Sequence, residues 1–213
     1  SPKNIKDYYE RLMYYAKGEL QEFRRENPDY DSMDTTASAL TILPIDEVSH
    51  KAFFCNVGDS RIYTFRKGRV PPLELQTFDD GYIKKMYGVS EDTIKMQDYV
   101  DNLTSMPHNP QYKEILENRN KIYNSVATHR TISVGSFEVR PGDLILMTTD
   151  GIHDPLTKQQ IQDILYSCNP ELATEYLVKL ANEITDRRKN RYDRVENVRG
   201  KYDDRTAILI EIS

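Results

Sequence analysis

Apolar residues open the chain at helical spacing: Ile5, Tyr8, Tyr9, Leu12, Met13, Ala16, Leu20 and Phe23 recur every three or four positions. The pattern predicts a helix over Ile5 to Phe23, and Asn27-Pro28 ends it, because the residue before a proline is pushed out of the α region. Thr35 to Leu43 then turns to β-branched and small residues and reads as a strand, closed by a turn at Pro44-Ile45-Asp46-Glu47. Lys51 to Val57 and Arg61 to Arg66 read as two strands around Gly58-Asp59-Ser60, a hairpin signal. A turn at Arg66-Lys67-Gly68-Arg69 and a strand near Leu73 to Thr77 complete what reads as a meander of short antiparallel strands.

Between Asp79 and Lys121 the pattern lapses into polar sequence with scattered Tyr and Met, interrupted by Pro107 and Pro110. Short helices are expected at Asp92 to Tyr99 and Pro110 to Asn118, and the whole of 79–121 reads as an insertion or flap over one end of the sheet. Strand character returns at Ser133 to Val139 and, after a Pro141-Gly142 turn, at Leu144 to Thr149. Thr157 with Gln160 forms a capping box for a helix from Lys158 to about Tyr166. Asn169-Pro170 starts another, carried by Leu172, Leu177, Leu180 and Ile184 on one face, and Arg205 to Ile212 is the last strand. Strands neighbour strands more often than helices, so the fold class is α+β, a layered sandwich rather than a parallel sheet.

Composition narrows the class. A chain of 213 residues allows one sizeable core, and 1–213 reads as a single domain. A net charge of −5 offers no positive field for nucleic acid, and no apolar run has the length to span a bilayer. Cys55 and Cys168 give no disulfide framework, which fits a cytoplasmic protein, and Cys55 reads as a small core residue. The chain begins at Ser1 rather than methionine, as a fragment or a processed chain would.

The candidate chemistry lies in aspartates at strand ends and tight turns. The apolar run 143–149 delivers Asp150-Gly151-Ile152-His153-Asp154, Asp203-Asp204 precedes the last strand, and Asp59 sits in the turn after Val57. Each alone reads as a turn or cap residue. Together, buried carboxylates ask for a hard cation, and oxygen-only donors select Mg²⁺ or Mn²⁺ over zinc. His50, His108 and His129 have no partners at ligand spacing, and His153 should point away from the flanking aspartates. The basic run Arg187-Arg188-Lys189, Arg191, Arg194, Arg199 and Lys201 is diluted by acidic neighbours and reads as a solvated helix end and loop. A haloacid-dehalogenase-type site fails because Thr148 stands where its aspartyl nucleophile is required, and no EF-hand loop is present.

These contexts resemble a known family. Asn56-Val57-Gly58-Asp59-Ser60-Arg61 with Thr35-Thr36 upstream, Pro141-Gly142-Asp143 leading into Thr149-Asp150-Gly151-Ile152-His153-Asp154, and Tyr202-Asp203-Asp204-Arg205-Thr206 are similar, in order, to motifs of the PPM (PP2C) metal-dependent protein serine/threonine phosphatases. Asn120 to Val126 is a weaker match. The resemblance implies an α-β-β-α sandwich of two mainly antiparallel sheets flanked by helices. It also implies hydrolysis of phosphoserine and phosphothreonine in a phosphorylated protein substrate by a metal-activated water. Two catalytic Mn²⁺ or Mg²⁺ ions are implied, with a looser third.

By resemblance, Asp150 and Asp203 take the catalytic metal positions, and Asp59 and Asp154 join Asp150 at the third site. Gly58 and Gly151 are expected to allow the tight turns that aim these carboxylates, and Arg61 to support its turn. The family's first element, which carries a phosphate-binding arginine and a bridging aspartate, has no match here and is expected upstream of Ser1, along with the N-terminal strands. At Asp34 the family usually has glycine. The exact chain is therefore expected to be a poor catalyst, and the alternative is a non-catalytic PPM-like regulatory or binding module, a pseudophosphatase.

Overall fold

The computed structural model describes residues 2–189, 199 and 201–213. The chain runs α1 (Pro2–Glu26), β1 (Ala37–Pro44), β2 (His50–Val57), β3 (Arg61–Phe65) and β4 (Leu73–Leu75), then three helices α2 (Tyr82–Tyr87), α3 (Glu91–Asp101) and α4 (Pro110–Asn118). It continues with β5 (Ser133–Val139), β6 (Leu144–Thr148), α5 (Asp150–His153), α6 (Lys158–Ser167), α7 (Pro170–Lys189) and β7 (Ala207–Glu211). The strands form two antiparallel sheets, ordered β1-β2-β5 and β4-β3-β6-β7.

Side-chain alternation explains the layers. Along β2, Phe53, Cys55 and Val57 face α1, where they meet Tyr9 and Met13. The intervening Ala52 and Phe54 face the other sheet and pack with Ile62, Val139, Ile145 and Ile212. Along β3 and β6 the parity repeats: Ile62 and Ile145 point between the sheets, whereas Tyr63, Phe65, Leu144 and Leu146 point out onto α6 and α7. The result is helix, sheet, sheet, helix, an α-β-β-α sandwich.

The hairpin expected around Gly58-Asp59-Ser60 does not form. β2 is already paired on both edges, by β1 and β5, and β3 by β4 and β6, so neither has a free edge for the other. The three residues cross from one sheet to the other, and the hairpins lie at the 45–49 and 66–72 turns instead. Thr157 and Gln160 make the expected capping box. On α7 the inner face is Ala173, Leu177, Ala181 and Ile184, while Leu172 is exposed, because the small alanines let the helix approach the sheet. Residues 79–121 hold one helix more than expected, Tyr82–Tyr87, and the three helices share a core of Tyr82, Val100, Ile115 and Leu116. Among the described residues no helix is long and apolar enough to cross a membrane.

Candidate metal centre

Asp59, Asp150 and Asp203 line one open cleft of about 450 Å³, with Thr35, Thr36 and Ser60 on its wall. Asp150 is the first residue of α5, delivered by the end of β6. The 203–206 segment is strapped to that junction: Thr149 N donates to Thr206 O at 3.1 Å, and Thr206 N to Thr149 Oγ1 at 3.1 Å. Gly151 makes this approach possible, because a β-carbon there would lie 2.1 Å from Asp204 O. Its backbone is helical, so its role is clearance, not the tight turn expected of it. Gly58 does adopt a left-handed conformation, φ 106°, and a β-carbon there would strike Thr36.

Asp59 is 6 % exposed, and among the described residues no hydrogen-bond donor reaches its carboxylate. Burial, reinforced by the charges of Asp79, Asp150 and Asp154 and opposed by Arg61, pushes its pKa up to about 7. It lies between the open cleft and a small cavity of about 30 Å³ bounded by Arg61, Asp79, Gln97, His153, Asp154 and Arg199. Asp154 is buried there, 3.6 Å from Arg119 Nε. His153 is buried with Nδ1 2.9 Å from Thr148 Oγ1. Burial first, then the surrounding Arg61, Arg199, Lys201 and Arg119 charges, hold it well below the ordinary histidine pKa and so neutral.

Lys201 and Arg199 depart from the solvated loop expected of them; Arg191 and Arg194 lie outside the described residues. The Lys201 ammonium bonds Asp150, lies 2.9 Å from Asp203 Oδ2 and reaches Asp154 Oδ2 at 3.6 Å. Burial works against that charge, and the carboxylates outweigh it, so the Lys201 pKa is raised. Burial also pushes Asp203 up, but the Lys201 hydrogen bond and charge and the Asp204 amide leave it below the usual carboxylate value. Arg199 is buried and donates to Val100 O, His153 O and Leu156 O at 2.7–3.0 Å.

Further residues act behind these. Arg61 supports more than its own turn: it bonds Asp79 at 2.6–3.2 Å, Asp101 at 3.0 Å and Tyr63 Oη at 3.2 Å, joining β3 to α3. Buried Asp80 accepts from Gly58 N at 3.1 Å and Asn124 Nδ2 at 2.6 Å, fixing the loop that carries Asp59. Asp79-Asp80 is a second adjacent acidic pair beside a strand, following β4 as Asp203-Asp204 precedes β7, and was the signal that could have singled it out. Asp34 accepts from Thr35 N, Ala127 N and Ser125 Oγ, so the residue in the family's glycine position ties the turn before β1 to the 125–127 segment.

A divalent cation fits this place in kind. The donors are carboxylate oxygens, and a side-chain ammonium marks where positive charge is held. Among the described residues, however, no three His, Cys, Asp or Glu side chains are arranged to hold an ion by themselves.

No family model matches the chain. It is 27 % identical over 197 residues to the Drosophila virilis "Protein phosphatase PTC7 homolog fig", covering 84 % of this chain and 53 % of that protein. The chain thus spans about half the length of the curated relative it matches. Its structure is similar to the S. agalactiae serine/threonine phosphatase, with a TM-score of 0.67, 19 % identity and coverage of 100 % and 73 % of the two chains. It also matches the catalytic domain of the serine/threonine phosphatase PstP in complex with two manganese ions, at a TM-score of 0.59, 18 % identity and coverage of 91 % and 64 %. The α-β-β-α fold expected from the resemblance is therefore the fold of these solved serine/threonine phosphatases.

Proposed function

We propose that this chain forms the carboxylate-bearing part of a Mn²⁺- or Mg²⁺-dependent phosphatase acting on phosphoserine and phosphothreonine in proteins. The observation that carries the reading is the meeting of Asp59, Asp150 and Asp203 on one cleft of a PPM-type sandwich, around a place where a cationic side chain already sits. The printed descriptions of the relatives, a protein phosphatase and a phosphatase with two manganese ions, support it.

In this reading Asp150 and Asp203, with the Gly151 backbone, hold the catalytic ions, and Asp59 and Asp154 serve a third, looser site. When bound, the ions supply positive charge that acidifies water and neutralises the phosphoryl group. The chain's own residues align the carboxylates: Asp80 and Asn124 fix the Asp59 loop, and the Thr149–Thr206 strap fixes Asp203 beside Asp150. His153, neutral and bonded to Thr148, takes no proton from the cleft. Arg61 and Arg66 are committed to Asp79, Asp101 and Asp143, which leaves neither for a substrate phosphate.

The test is calorimetric titration of Mn²⁺ together with phosphate release from a phosphothreonine peptide. Binding and any Mn²⁺-dependent release should both disappear in Asp150→Asn. The Lys201 contacts favour a second reading, a metal-free PPM-like binding module, and a chain that binds no Mn²⁺ even with Lys201 replaced by Met would decide for it.

A further inference from the structure

Lys201 is not a rim lysine that happens to reach the cleft. Its carbonyl accepts from Thr185 Oγ1 at 3.0 Å and Arg205 Nη2 at 3.1 Å, and the carbonyl of Arg199 accepts from Arg119 Nη2 at 3.0 Å. The buried Arg199 guanidinium anchors the same segment to α3 and to the residues around α5. With its carbonyl held in this way, the Lys201 side chain, 18 % exposed, is aimed at three carboxylates. Two of these, Asp150 and Asp203, are the ones assigned to the catalytic cations above.

From this geometry we propose that Lys201 is a tethered internal cation that occupies the metal position and must be displaced for a divalent ion to bind. The inference rests on the metal reading of the preceding subsection. An ammonium and a divalent ion cannot share the same carboxylate oxygens, since like charges a few ångströms apart repel strongly in a partly buried site. The tether makes the lysine a competitor of constant, high local concentration. Until metal arrives, it also screens the mutual repulsion of Asp150, Asp154 and Asp203 and keeps them converged. Lys201 is thus a positioning residue that sets the metal threshold of the site.

Two measurements test this on the whole chain. In Mn²⁺ titration calorimetry, Lys201→Met should bind about tenfold more tightly than wild type or better, while its metal-free thermal midpoint falls. In wild type, labelling by an amine-reactive reagent, read by peptide mass spectrometry, should show Lys201 modification rising severalfold on saturation with Mn²⁺. Equal or weaker binding by the variant, or Lys201 labelling unchanged in a chain that binds Mn²⁺, overturns the competitor role and leaves the metal site standing. Absence of Mn²⁺ binding in both chains overturns the two together.

Discussion

A β-carbon added at Gly151 would overlap the Asp204 carbonyl, and the obstacle is backbone, which cannot rotate aside as a side chain can. Gly151→Ala should therefore lower stability by about 2 kcal/mol or more in urea unfolding and weaken the Thr149–Thr206 strap. Gly18, in the middle of α1 with open space around it, makes the contrast: Gly18→Ala should stabilise by about 0.5–1 kcal/mol. Asp143 permits a pH test away from the cleft. Burial raises its carboxyl, but hydrogen bonds from Arg66 and the Arg140 amide more than compensate and hold it below the usual carboxylate value. A depressed carboxylate contributes stability above its unfolded pKa and loses it as pH falls through the folded one. Asp143→Asn should cost about 2 kcal/mol near neutrality, and the gap between variant and wild type in denaturant melts should close below about pH 4.

The three helices of 82–118 have their own small core, and much of their attachment to the sandwich is polar. Asp101 meets Arg61, Val100 O accepts from Arg199, Asp98 meets Lys158, and Gln159 N donates to Asn102 Oδ1. Removing Arg61 would leave the buried Asp101 and the half-buried Asp79 without their cation, a cost of about 3–5 kcal/mol. In Arg61→Leu, amide hydrogen exchange should accelerate through α2, α3 and α4 more than in β6, whereas uniform change along the chain would show that these helices are not a separable unit. The helices at 110–118 and around 92–99 were legible in the sequence because proline and polar capping residues mark their starts. Their mode of attachment was not, since Arg61 and Asp101 lie far apart in the chain and neither carries a local signal of the other.

The motif order revealed the sandwich. Alternation fixes the face of a strand but says nothing about which sheet it joins, so β2 and β3 were read as one hairpin when they belong to two sheets. The same limit hid Lys201 and Arg199: a charged run looks solvated until the fold brings carboxylates and carbonyls to it. The crossing at 58–60 has a mechanical consequence. It is three residues long, pinned by Asp80, by the Thr36–Ser60 contact and by the packing of Gly58 against Thr36, so the two sheets cannot separate there. Displacement between two plates is least beside a short tie that joins them. Asp59 rides on such a tie, so relative movement of the two sheets should disturb its alignment with Asp150 less than that of a group midway along the strands.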